Sequence, residues 1–225
     1  QELSGWRASL SSWGLVDVPI RFEQAVVESE KIEKLSISEE EMEDIMHAAR
    51  LINSHLLEDL DDIPLIYVTI INNAFAQITE NWMCNVQPFE TILDRTLIIA
   101  GSAQICDKII EKYSEVACVP LSLPSSYNGN FEEKPEHRRL FTAFRLKVME
   151  NLVQNGLNFV FFDTDSIWLR DPSELFTNVT QIQNVDLVVG SSLNEVDRPF
   201  SSDPLLIIAN ERTESFISES RRLIE

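Results

Sequence analysis

The stretch Asn158-Phe159-Val160-Phe161-Phe162-Asp163-Thr164-Asp165 sets four apolar residues in a row before two carboxylates placed two positions apart. The apolar run predicts a central strand. On an extended backbone, side chains at i and i+2 point the same way, about 7 Å apart. Two like charges held together at the rim of an apolar sheet repel one another, and one tends to keep its proton. A divalent cation removes that conflict. Oxygen ligands of this kind suit manganese or magnesium, with water and a substrate phosphate filling the other coordination positions. Asp163 and Asp165 are therefore the candidate ligands of a metal that bridges to a phosphorylated compound.

The residues around the pair read more plainly. Asp171, Pro172 and Glu174 have the pattern of an N-cap, a first helical position and a capping-box acid, and are assigned to structure. Trp168 is core or pocket wall. Upstream, Arg145 and Lys147 lie on a predicted helix, where a solvated face is the usual place for such residues. In an acidic chain, a cation turned toward a diphosphate would carry electrostatic value beyond one contact. His47 and His55 are eight positions apart with no carboxylate at ligand spacing, and read as surface histidines. Cys84, Cys106 and Cys118 have no paired close spacing that would mark a zinc or redox motif. They are expected as buried apolar thiols; at most one disulfide could form, with one cysteine left over.

These residues need a frame to position them. Short apolar runs at Leu65–Ile71, Thr96–Ala100, Val116–Val119, Phe159–Asp163, Asp186–Val189 and Leu205–Ala209 predict strands. Helices are predicted near 75–85, 102–113, 138–155 and 212–224, the third closed by Gly156. Strands that are apolar on both faces and alternate with helices imply a mostly parallel sheet between two helical layers. In such sheets ligands sit beyond the carboxyl ends of the strands. That rule directs attention to the residues at and just after the strand ends: Thr69 to Asn73, Gly101-Ser102, and Asp163-Thr164-Asp165. Ahead of the first strand, Ser38-Glu39-Glu40-Glu41 forms a capping box. Met42, Ile45, Met46, Ala49, Ile52, Leu56 and Leu60 then come at helical spacing. Residues 1 to about 35, with Trp6, Trp13 and Pro19 scattered among polar residues, show no sustained period and read as a lead-in arm.

The whole chain sets outer limits. Its 225 residues are 44% apolar, enough for one sizeable core. Against 18 basic residues stand 37 acidic ones, a formal charge of -19. Such a surface repels phosphate backbones and anionic headgroups, which argues against nucleic acid and membrane surfaces as partners. No window reaches the ~20 apolar residues of a membrane span. The start at Gln1 reads as a trimmed precursor, so a membrane contact is expected only through an anchor outside this chain. Asn178-Val179-Thr180 is a sequon, a glycan acceptor if the protein is lumenal.

From Pro64 onward the chain resembles the nucleotide-diphospho-sugar transferase family, whose members share a GT-A-type fold and a D-x-D metal motif. The likeness is carried by Lys147 through Pro172: a helix ending at Gly156, a strand running into Asp163-Thr164-Asp165, then Ile167-Trp168-Leu169-Arg170-Asp171-Pro172. A weaker likeness lies in Val68-Thr69-Ile70-Ile71-Asn72 and Asn81-Trp82. The resemblance implies a division into an N-terminal arm and amphipathic helix (1–60) and a transferase domain (61–225) that stops short of its usual C-terminal end. It implies that Asp163 and Asp165 hold Mn2+ or Mg2+ against the donor diphosphate. Thr69 and Asn72 would face the nucleoside, and Lys147 would meet the donor sugar or its phosphate. It further implies transfer of a sugar from a nucleotide-diphosphate donor to a glycan or glycoprotein acceptor, in the Golgi lumen, below a type II anchor upstream.

The sequence departs from the family pattern at Ser201-Ser202-Asp203-Pro204, where members tend to carry an Asn-Gly-Gly-like turn. Two other readings use the same residues: a non-catalytic lumenal binding domain of the same fold, and a haloacid-dehalogenase-type phosphatase with Asp163 as nucleophile. The phosphatase needs a further acidic pair after a later strand, and none is present there.

Overall fold

Every residue of Ile66–Ile71 is buried, and so is every residue of Thr96–Ala100. These two runs form adjacent parallel strands, β1 and β2, in the middle of the sheet. The structure is a computed structural model that describes residues 35–56, 64–89, 91–124, 127, 135–180, 185–191 and 200–224. The lead-in with Trp6, Trp13 and Pro19, and also Leu60, lie outside the described residues. Strands β3 (Ala117–Pro120) and β4 (Phe159–Phe161) flank the central pair, and β5 (Leu187–Ser191) and β6 (Phe200–Ile207) complete the sheet. The order is β3-β2-β1-β4-β6-β5. β1 to β4 run parallel, while β6 is antiparallel to both β4 and β5.

Alternation along the strands sorts the core into two layers. Ile66, Val68 and Ile70 of β1, with Phe159 and Phe161 of β4, face helices α1 (Glu39–Leu56), α4 (Pro135–Gln154) and α6 (Glu211–Ile224). Tyr67 and Ile71, with Val160 and Phe162, face α2 (Ala76–Val86), α3 (Ala103–Lys112) and α5 (Ser173–Thr180). Among the described residues no helix is long and apolar enough to cross a membrane.

The predicted elements are present, with shifts at their ends. α1 buries Ile45, Met46, Ala49 and Ile52 as its spacing requires. Its capping box forms in full: the Glu41 N–H donates to Ser38 Oγ at 3.1 Å, and the Ser38 N–H donates to Glu41 Oε2 at 2.9 Å. Glu41 also accepts the Ser122 N–H at 2.8 Å, which ties α1 to the chain leaving β3. Burial pushes the Glu41 carboxyl up, but hydrogen bonds from Ser122 and Ser38 outweigh it and hold the group below the usual glutamate value. Both His47 and His55 are exposed, as expected.

Two expectations fail. Cys106 of α3 and Cys118 of β3 are not separate thiols but a disulfide, with Cα atoms 5.4 Å apart, while Cys84 is free and exposed. Spacing missed the pair because a helix and the next strand bring residues twelve apart face to face. The acidic pair also does not lie on an extended strand. β4 stops at Phe161, the ladder closes with the Phe162 N–H on Val68 O at 3.1 Å, and Thr164 and Asp165 stand in a turn.

Candidate functional site

The turn after β4 is built by its middle residue. Strand alternation sends Thr164 toward the α2 face together with Val160 and Phe162. There its Oγ1 is 3.0 Å from Thr79 Oγ1, both side chains being buried. Asp163 keeps the parity of Phe159 and Phe161 and turns to the α4 face, half-buried, while Asp165 is exposed at the tip. Ser166 Oγ donates to Asp163 O at 3.0 Å and closes the turn.

The next segment is pinned to α2. The Trp168 N–H donates to Asn85 Oδ1 at 2.8 Å, and Asn85 Nδ2 donates back to Trp168 O at 3.1 Å. The Trp168 ring packs at centroid distances of 5.3 Å from both Trp82 and Phe162 and 5.6 Å from Tyr67. Trp168 is thus a core anchor for the acidic turn. Asp171 accepts the Ser173 N–H at 2.8 Å and caps α5, as its pattern predicted.

Arg145 does not lie on a solvated helix face. It shares the inward stripe of α4 with Phe141, Val148 and Leu152, and its guanidinium lies 4.6 Å over the Phe161 ring. From there it grips Asp163 with two nitrogens, Nη2 to Oδ1 at 2.8 Å and Nη1 to Oδ2 at 3.4 Å. Lys147, two residues on, faces about 200° away around the helix. It lines a cleft between α1 and α4 with Glu39, Glu43 and Arg50. The structure therefore brings Arg145, not Lys147, to the acidic turn.

Thr69 and Asn72 are both buried. Thr69 sits in mid-strand opposite Ile98. Asn72 spends its side chain on structure: Oδ1 accepts the N–H groups of Ala74 and Phe75 at 3.0 and 3.3 Å, and Nδ2 donates to Tyr127 O at 2.8 Å. Asn72 thus fixes the chain just past the carboxyl end of β1, while Thr69 lies within the strand.

A third carboxylate joins the pair. The antiparallel register pairs Phe159 with Ile207 and Phe161 with Leu205; just past the end of this ladder Asp203 lies against Asp163. Asp203 Oδ1 accepts the Asp163 N–H at 2.9 Å. Burial pushes the Asp203 carboxyl up to about 6; the Asp163 N–H opposes this, the charges of Asp163 and Asp165 add to it, and Arg145 offsets part. Asp203 escapes a search that traces strands to their carboxyl ends, because an antiparallel strand brings its amino-terminal half to the same edge.

The exposed and half-exposed oxygens of Asp165 and Asp163 fit a hard divalent cation of the magnesium or manganese type. Such ions commonly take one or two carboxylates and complete their shell with water and phosphate. Among the described residues no group of three His, Cys, Asp or Glu side chains forms a ready cage.

A model of the nucleotide-diphospho-sugar transferase family matches residues 91–221, more than half of the sequence. The chain belongs to that family. The matched span runs from the approach to β2 into α6, and includes Arg145, the Asp163-Thr164-Asp165 turn and Asp203. β1, with Thr69 and Asn72, lies outside it, although β1 joins β2 to β4 at the centre of the sheet. No curated protein matches the chain. For a transferase of this family, the mixed sheet of six mostly parallel strands between helices is the expected GT-A-like arrangement.

Proposed function

We propose that this chain is the nucleotide-sugar-binding part of a metal-dependent glycosyltransferase, acting on a glycan or glycoprotein acceptor. One observation carries the reading: in a chain of this family, the carboxylates of Asp163 and Asp165 stand at the open edge of the sheet, on a turn locked from below by Thr79, Thr164 and the Trp168 anchor. Bound there, Mn2+ or Mg2+ would stabilise charge on the departing diphosphate. The chain's own contribution is to hold the backbone of the acidic turn in place before ligands arrive, so that little of the frame need move at the moment of transfer. Thr69 and Asn72 support the nucleoside side of the edge. Lys147 joins the site only if the α1–α4 cleft is part of the ligand surface.

We place the chain in the Golgi lumen; the Cys106–Cys118 disulfide supports an oxidising compartment, where such bonds persist. The exposed side chain of Asn178 on α5 is consistent with a glycan there.

Calorimetric titration of uridine diphosphate, with and without manganese, tests the site on wild type and on Asp165→Ala. The expected result is binding that needs manganese and is lost in the variant. If no nucleoside diphosphate binds in the presence of manganese, the transferase reading falls. Binding without turnover toward any acceptor would instead favour the non-catalytic domain.

A further inference from the structure

The inward stripe of α4 carries a cation among apolar neighbours. Phe141, Phe144, Val148, Met149, Leu152 and Val153 are buried apolar residues, and Arg145 stands among them with only 23% of its side chain exposed. Placing a guanidinium in an apolar layer is costly unless it is paired. Its partners are Asp163, gripped by both terminal nitrogens, and the face of Phe161. Phe161 belongs to β4, so the strand that presents Asp163 also seats the cation that neutralises it.

We propose that Arg145 is a positioning residue that stands in for the metal: it neutralises Asp163 in the metal-free protein and must give up that carboxylate when a divalent cation binds. This inference rests on the reading of Asp163 and Asp165 as metal ligands. The reason for such an arrangement is electrostatic. The chain carries a formal charge of -19, so its surface concentrates cations. An acidic pair left open would take up a divalent ion with no nucleotide present. With Arg145 on Asp163, a cation entering alone competes with a positive charge already in place. A cation entering with a diphosphate brings an anion beside which the released guanidinium can settle, since its fork geometry suits phosphate as well as carboxylate. Arg145 thereby couples metal binding to nucleotide binding, and the coupling acts equally in both directions.

The test measures manganese affinity by electron paramagnetic resonance or calorimetry, with and without uridine diphosphate. The proteins are wild type, Arg145→Met and Arg145→Lys. Methionine keeps an apolar stem over Phe161 without the charge, while lysine keeps a charge without the fork. Thermal melts confirm that each variant folds. Arg145→Met is expected to bind manganese alone about tenfold more tightly than wild type, while the gain in manganese affinity on adding the nucleotide shrinks. Arg145→Lys should fall back toward wild-type affinity. Equal or weaker manganese binding in Arg145→Met would overturn the proposal while leaving the metal site standing. Absence of manganese binding in wild type and variants alike would overturn both the metal-site reading and this inference.

Discussion

The backbone N–H of Asp163 donates to the side chain of Asp203, forty residues later, at 2.9 Å. The contact joins the end of parallel β4 to antiparallel β6 and sets a half-buried carboxylate beside two others. It also bears on how stability depends on pH. Burial raises Asp203 from an ordinary 3.8 to about 6, so between those values the folded chain binds more protons than the unfolded one. The stabilising effect of this group is complete below about pH 4 and disappears as pH rises through 6.

Asp203→Asn keeps an oxygen to accept the Asp163 N–H and removes the charge. A tenfold change in proton affinity corresponds to about 1.4 kcal/mol, and residual solvent access reduces the total. In chelator-treated protein, the variant is therefore expected to match wild type near pH 4 and exceed its stability by about 2 kcal/mol at pH 8. Denaturant unfolding of both proteins across that range reads the difference. A difference that stays constant with pH would show that Asp203 is not raised by the fold.

The contact between Thr79 and Thr164 is the other fixed point of the acidic turn. Thr164→Val is expected to cost about 1 kcal/mol, the usual worth of one buried hydrogen bond, and Thr79→Val somewhat more, because Thr79 Oγ1 also donates to Phe75 O at 2.9 Å. The double variant should lose less than the sum, because the bond between the two hydroxyls is lost in either single variant. Full additivity in unfolding experiments would dissociate the two hydroxyls. Thr164→Val should also weaken manganese-dependent binding of uridine diphosphate more than Thr79→Val, since it alters the turn itself.

The disulfide can be counted chemically. Under native, non-reducing conditions one thiol per chain, that of Cys84, is expected to react with an alkylating reagent. Replacing both Cys106 and Cys118 by serine opens a loop whose ends are twelve residues apart in sequence. On the chain-entropy account this costs about 3 kcal/mol, visible as a lower melting temperature. Three reactive thiols in the native protein would refute the bridge.

Much of this protein was legible from its sequence because the signals are local. Apolar runs and helical spacing located the elements, since burial of a repeating face depends on neighbours three or four positions away. The Ser38–Glu41 box and the Asp171 cap formed as read, because a cap involves residues two or three apart. The family, and the edge at which Asp163 and Asp165 stand, came from one continuous stretch of chain.

The features that remained hidden depended on pairing across long separations. The antiparallel direction of β6 put Asp203 beside Asp163, and no periodicity within 200–207 encodes a strand's direction relative to β4. The choice between Arg145 and Lys147 turned on the rotation of α4 against the sheet. Which face of that helix covers the end of β4 is settled only when α1 and α6 pack beside it. By itself the sequence determined that two carboxylates follow the central apolar strand. Tertiary packing decided which charges surround them, because opposite sheet directions and helix rotation bring together groups that the chain keeps far apart.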